Sequence, residues 1–252
     1  MVLITSAKAS EAAASSCKLV LESGKCIDYV APAHANLSPE IQSESNDIVS
    51  DDFAGRRKSS YASDSSDDWE GVNALCHVLD NIIQYESDEI VDGQSVLEVG
   101  FSTGLPSIFA LANGASHVTL HCPDKEMLDC FIKATFSRNQ VKLSQRKFVT
   151  GDLDNLKKST KPKQFDVILA PEYINANHTE FEALHDFLDY ALAPDGICLL
   201  TARTFYFNCD GNLPEFLSLI KSKGKFDVYV RWCSSKLDVV QRKVVQLTRI
   251  IR

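Results

Sequence analysis

No run of eighteen apolar residues occurs in this 252-residue chain, so no membrane-crossing helix is expected. The eight cysteines never form a Cys-x-x-Cys pair. They fit free thiols in a reducing compartment better than a disulfide framework or a zinc site. The six histidines offer no metal-ligand spacing: His117 and His121 flank one strand and share a face, but no third ligand is near. An excess of basic charge is missing too. With 26 basic and 34 acidic residues the net charge is −8, which argues against nonspecific binding to a phosphate backbone and leaves room for a basic protein partner. The Gly-x-Gly-x-x-Gly fingerprint of nicotinamide-binding domains is absent. Met1–Thr5 is too short for a signal-peptide core and Lys8 follows at once. The chain is therefore expected to be cytoplasmic or nuclear, and the sequons at Asn36 and Asn177 coincidental.

What is present is an alternation of strands and helices. Residues 1–15 are rich in alanine and serine and are expected to be disordered. Cys17–Leu21 and Cys26–Val30 form a candidate hairpin around Ser23-Gly24-Lys25. Asn36–Asp68 reads as a flexible connector, because five of the ten residues Ser59–Asp68 are serines and three are aspartates. Within it, Arg56-Arg57-Lys58 is a nuclear-import or phosphorylation-linked candidate, or a plain solvated run. A helix is predicted from Trp69, capped by Asp67 or Asp68, with Val72, Leu75, Cys76, Leu79, Ile82 and Ile83 on one face. From there strands are predicted at 96–100, 118–122, 146–150, 165–170 and 197–204. Helices are predicted at 105–113, 125–138, 179–192 and 213–223, the third opened by a Thr179/Glu182 capping box. Two long strands, 226–233 and 239–250, close the chain and must pair antiparallel. The fold class is α/β: a Rossmann-like seven-stranded sheet, mostly parallel, with a C-terminal antiparallel hairpin. The expected division is an N-terminal extension, 1–68, and one domain, 69–252.

The most informative stretch is Ser95 to Gly104. A short apolar run ends in Glu98, and Gly100 and Gly104 bracket a turn that leads into a helix. Such a turn lets backbone N–H groups and a helix N-terminus approach a ligand. It resembles the acid-x-Gly-x-Gly-x-Gly loop of S-adenosylmethionine (SAM) methyltransferases, with Ser102 where the middle glycine stands. Further segments resemble the histidine protein methyltransferases over residues 50–252. These are Trp69-Glu70; Leu97-Glu98-Val99-Gly100 followed by Gly104-Leu105-Pro106-Ser107-Ile108; Phe148 to Asp152, with its Gly151-Asp152 pair; Ile168 to Glu172, with Pro171; and Leu199 to Phe207 followed by Gly211. The departures are Ser102, Cys122 where the family carries an acid, and Tyr61-Ala-Ser-Asp in place of a glycine-bearing segment.

The resemblance implies SAM as cofactor and gives each residue a role beside its plain one. Glu98 orders the loop near the SAM amino-acid moiety, or is a loop-capping carboxylate. Gly100 and Gly104 are ligand-approach or turn glycines, and Ser102 weakens or reshapes binding. Asp124 accepts ribose hydroxyls or, as preferred, caps the next helix. Asp152 bonds the adenine amino group or is a turn acid. Trp69 walls the pocket or staples a helix start, and Pro171 borders the cofactor. Glu172 is the candidate catalytic residue, orienting or deprotonating an acceptor nitrogen; its alternative is a solvated loop charge. Phe205, Tyr206 and Phe207 line an acceptor channel or belong to the core. The expected activity is SAM-dependent protein-histidine N-methylation by a monomer. Its substrate would be a protein, a basic ribosomal one among the candidates, with no nucleic acid or membrane partner. The alternative is a methyltransferase-fold interaction module with little or no activity.

Overall fold

A computed structural model describes residues 14–32, 65–86, 90–175, 177–207 and 209–250. Residues 1–13 of the alanine/serine-rich start, most of the predicted connector and Arg56–Lys58 lie outside the described residues, while Ala14 and Ser15, expected to be disordered, belong to a strand. The N-terminal hairpin is formed by β1 (Ala14–Val20) and β2 (Cys26–Pro32), paired antiparallel. Its period-2 pattern points Cys17, Leu19, Ile27, Tyr29 and Ala31 inward, while Lys18 and Asp28 face water. The hairpin shares its buried face with the main core.

The first helix, α1 (Ser65–Tyr85), starts four residues earlier than expected, inside the predicted connector. Positions 67 and 68 therefore lie inside the helix rather than ahead of it, and Trp69 sits within the helix instead of at its start. Val72, Leu75, Cys76 and Leu79 are fully buried, as the spacing predicts.

Seven strands build the main sheet: β3 (Ser95–Glu98), β4 (His117–His121), β5 (Arg146–Val149), β6 (Phe165–Pro171), β7 (Leu192–Arg203), β8 (Phe226–Cys233) and β9 (Arg242–Arg249). Their order is β5-β4-β3-β6-β7-β9-β8. β3 to β7 are parallel; β9 runs antiparallel to β7 and β8. The helices are α2 (Leu105–Ala112), α3 (Lys125–Met127), α4 (Lys133–Arg138), α5 (Leu153–Lys158), α6 (Phe181–Ala191) and α7 (Leu213–Lys223). The central strands β3, β4 and β6 are buried on both faces, as parallel strands between helices must be, whereas the edge strand β8 is largely exposed. Val96, Val118, Leu120, Val167 and Leu169 pack toward α1, α2 and the hairpin. Leu97, Ile168, Ala170, Cys198 and Leu200 pack toward α6 and α7.

Four local expectations are corrected. The predicted helix 125–138 is one helical run widened by a π-helical turn at Leu128–Ile132. The capping box does not form, because a 3-10 turn at His178–Glu180 moves the cap to Glu180, whose side chain makes no cap bond. β7 starts at Leu192, directly from α6, because Leu192 pairs with Phe165 across a register shift. The helix α5 is unexpected: six residues are too few to show an apolar period.

Candidate cofactor and acceptor site

The strand order reverses at β3, whose neighbours β4 and β6 lead in opposite directions. In open α/β sheets ligands bind outside the carboxyl ends of the strands at this point. Here that point is occupied by the turn after β3 and the end of β6. Glu98 is fully buried. Its Oε1 accepts the N–H of Thr103 at 2.8 Å and of Gly104 at 2.9 Å, and its Oε2 accepts the N–H of Ser107 at 3.0 Å. Burial raises its carboxyl pKa, opposed by these loop hydrogen bonds. One carboxylate thus holds the loop shape and takes up donors at the start of α2.

The loop is also clamped to β6. Phe101 donates its N–H to the Pro171 carbonyl at 2.7 Å. A Cβ on Gly100 would lie 2.4 Å from that same oxygen, at a φ of +106°. Glycine is therefore required by the close approach of two backbones. Gly100→Ala is expected to lower stability by about 1–3 kcal/mol, read as a fall in the urea midpoint; an unchanged midpoint would show that the loop and β6 separate freely. Gly104 is left-handed and abuts the Phe136 ring. Ser102 is not among the residues of positive φ, so the turn does not need glycine there and no backbone strain is stored at it. Its side chain is buried, and its Oγ has no hydrogen-bond partner.

Trp69 is 1% exposed. It stacks on Tyr29 of the hairpin at 5.5 Å and meets the Phe101 ring edge-on at 5.9 Å. Its Nε1 likewise has no partner. Two unpartnered buried groups thus flank the loop, at Ser102 and Trp69. Such groups are costly unless something else uses them, and this fits a polar cofactor seated over the turn.

Other predicted positions are already engaged. The Asp124 carboxylate caps α3, accepting from the N–H of Glu126 at 2.7 Å and of Met127 at 3.1 Å. Asp152 caps α5 through the Asn155 N–H at 2.8 Å. Cys122 is buried, its thiol pushed up to about 11 by burial, so at neutral pH it carries no charge. His121 is buried at the end of β4 with Nε2 2.8 Å from the Gly151 carbonyl oxygen. Burial lowers its pKa from 6.5, opposed by that carbonyl. The unfolded chain therefore binds this proton first as pH falls. The contribution is intact above about 6.5 and is lost as pH drops toward the folded-state value. The urea midpoint should fall between pH 7.5 and 5.5, and His121→Gln should flatten that slope; an equal slope in the variant would assign it to other groups.

Glu172 is neither a free base nor a solvated charge. Its side chain is 0% exposed. Oε1 accepts from Arg242 Nε at 2.9 Å, and Oε2 accepts from the Tyr206 hydroxyl at 2.7 Å. Arg242 reaches on to Glu70 at 2.8 Å. Burial raises the Glu172 carboxyl pKa, opposed by Arg242 and Tyr206. Its φ is +47°, and Thr201 Oγ1 receives its N–H at 3.1 Å. Gly71 is a mid-helix glycine for a reason: a Cβ there would lie 2.1 Å from Glu172 Oε1. The aromatic trio divides. Tyr206 is buried in this network, whereas Phe205 and Phe207 are exposed and stacked edge to face at 5.1 Å. Arg242 and Tyr29 had no signal in the sequence beyond strand alternation. Their partners lie 70 and 40 residues away in the chain, as the numbering of Glu172 and Trp69 shows.

Comparison with known proteins places this geometry. An uncharacterised protein of Caenorhabditis elegans is 42% identical over 234 residues, 92% of this chain and 93% of that protein. The chain belongs to that protein's family. A histidine protein methyltransferase 1 homolog of Dictyostelium discoideum is 30% identical over 186 residues, 73% of this chain. This chain spans 59% of that relative's length. No protein-family model matches. Among solved structures, a proposed transferase of Pyrococcus horikoshii aligns with a TM-score of 0.55 at 12% identity, over 95% of this chain and 74% of that one. A precorrin-6y methyltransferase of Geobacter metallireducens aligns with a TM-score of 0.50 at 13% identity, over 69% and 87%. This chain has the Rossmann-like SAM methyltransferase fold expected from the sequence.

Proposed function

We propose that the protein is a SAM-dependent protein methyltransferase that acts on a side-chain nitrogen, with histidine as the acceptor. The observation that carries this is the Glu98-ordered loop at the switch point, with Ser102 Oγ and Trp69 Nε1 buried and unpartnered beside it. The 30% identity to a histidine protein methyltransferase homolog supports it. SAM supplies an electrophilic methyl group when bound. The chain's own part is to fix the loop through Glu98, to offer Ser102 and Trp69 as polar contacts, and to exclude water with the Tyr29–Trp69–Phe101 aromatics. Glu172, locked to Arg242 and Tyr206, does not serve as a proton acceptor in this arrangement. That favours an acceptor needing no base. Imidazole, with a pKa near 6.5, is largely neutral at pH 7, whereas a lysine amine is not.

The second reading, an interaction module, is favoured by Cys122 in place of an acid and by Asp124 being spent on a helix cap. Calorimetry with SAM and S-adenosylhomocysteine separates the two. Saturable binding is expected, weakened several-fold in Ser102→Ala, the equivalent of about 1 kcal/mol for one hydrogen bond. The same variant should keep its urea midpoint, because the Oγ has no partner within the protein. No binding of either ligand at millimolar concentration would leave the module reading.

A further inference from the structure

A cavity of about 670 Å3 runs along α1, beneath the loop that joins β8 to β9. One wall is a stripe of α1 carrying Glu70, Asn73, His77 and Asn81. Their spacing of three, four and four residues places them on one helix face. The opposite wall includes Trp232, Arg242 and Asp238. The stripe covers eleven helical steps, about 16 Å at 1.5 Å per residue, enough for about five residues of extended chain.

Two observations say what this groove takes. First, the side-chain oxygens of Asn73 and Asn81 are buried and have no hydrogen-bond partner. An orphaned buried acceptor is destabilising, yet two stand on the same stripe and line the same groove. A half-turn of either amide about its terminal bond brings that oxygen to the groove, where it calls for an N–H donor. Second, the rim suits a cation. Glu22 and Asp238 line it beside Arg203, and the Arg242 charge is already answered by the buried Glu172 and by Glu70, so carboxylates outnumber guanidinium groups. Trp232 and Phe207 offer exposed ring faces, which attract cationic side chains. On the loop above, Leu237 and Val239 are 94% and 97% exposed, so an apolar contact is available beside the charged one.

We infer that this groove binds an extended polypeptide segment carrying basic, N–H-rich side chains, and leads it toward the carboxyl edge of the sheet. The groove meets that edge at Glu70, Arg242 and Arg203, the last residue of β7. The inference rests on the proposed methyl transfer to a protein, and names the class of segment that presents the acceptor. RNA is disfavoured by the carboxylates on the rim.

The test is a fluorescence titration of the full chain. Its two tryptophans are the buried Trp69 and the half-exposed Trp232 on the groove wall. The probes are an end-capped nine-residue peptide alternating leucine with lysine and histidine, the same peptide with glutamate at every basic position, and a single-stranded RNA oligonucleotide. Saturable binding of the basic peptide alone is expected, with a signal that disappears in Trp232→Phe. The Asn73→Leu/Asn81→Leu double variant should bind at least tenfold more weakly without a lower melting temperature. Asp238→Lys, on the exposed loop, should weaken binding at least threefold and cannot act by unfolding the core. Asp227→Asn, at the opposite end of β8, should have no effect. Binding that ignores the groove variants, equal loss in Asp227→Asn, or preference for the acidic peptide or RNA would overturn the inference. A parallel SAM titration keeps the two readings apart. Peptide binding without SAM binding removes the methyltransferase reading and keeps the groove; SAM binding with peptide binding indifferent to the groove does the reverse.

Discussion

Arg242→Ala is expected to destabilise the protein by about 3–5 kcal/mol, the cost of stranding a buried charge. Glu172 is buried and has Arg242 as its counter-ion, at 2.9 Å. Removing the guanidinium leaves the carboxylate with the Tyr206 hydroxyl and the more weakly acting charge of Arg203. Glu172→Ala strands the opposite charge and the Tyr206 hydroxyl, and should cost a similar amount, although Arg242 keeps its contact with the exposed Glu70. The pair is better judged by a cycle. Glu172→Gln combined with Arg242→Met removes both charges at nearly constant volume and should recover most of the loss. Urea midpoints of the four proteins decide the matter. Losses that simply add would show that the two residues act independently and that the network is a contact without coupling. The cycle also bears on mechanism, because a low turnover in Glu172→Ala means nothing about proton transfer until the loss of folding is subtracted.

Glu98→Ala is the second large effect. It leaves the N–H groups of Thr103, Gly104 and Ser107 without their acceptor, inside a loop that buries Ser102, Thr103 and Leu105. Each orphaned donor costs about 1–3 kcal/mol where water cannot reach it. The loop is therefore expected to open locally, lowering stability by several kcal/mol and abolishing SAM affinity together. Glu98→Gln is the informative partner. Its amide oxygen still serves Thr103 and Gly104, while its NH2 faces the Ser107 N–H, so stability should fall by less. Hydrogen exchange at Thr103, Gly104 and Ser107 reads the loop directly. If Glu98→Ala keeps slow exchange at those amides, the loop is held by its clamp to Pro171 and not by the carboxylate.

Much of the architecture was legible in the chain. The period-2 burial of the first hairpin, the apolar face of α1, the α7 helix ending at Gly224 and the antiparallel pair β8–β9 all follow from local pattern and turn chemistry. The Asp124 cap was legible as well, because an N-cap is a contact between residues two or three apart. The site was legible only in part. The loop sequence placed Glu98, Gly100 and Gly104 together, but it could not say that Gly100 is demanded by the Pro171 carbonyl, 71 residues later. It also made Glu172 a free residue at a loop, where the fold makes it a buried ion-pair member.

The sequence by itself determined most of the elements and their order, the short α5 excepted, because hydrophobic period, caps and glycine turns act within a few residues of one another. It therefore determined the sheet class and the loop that closes its switch point. Tertiary structure alone decided which charges meet. Arg242 finds Glu172 and Glu70 only because β9 returns beside β7 with Arg203 opposite Arg242, and because Gly71 lets α1 come close to the Glu172 carboxylate. Tyr29 stacks on Trp69, and two asparagines of α1 line a groove under the terminal hairpin, for the same reason. Such contacts depend on the register and packing of distant segments, and burial then turns each of them from a solvated charge or amide into a group that must be paired.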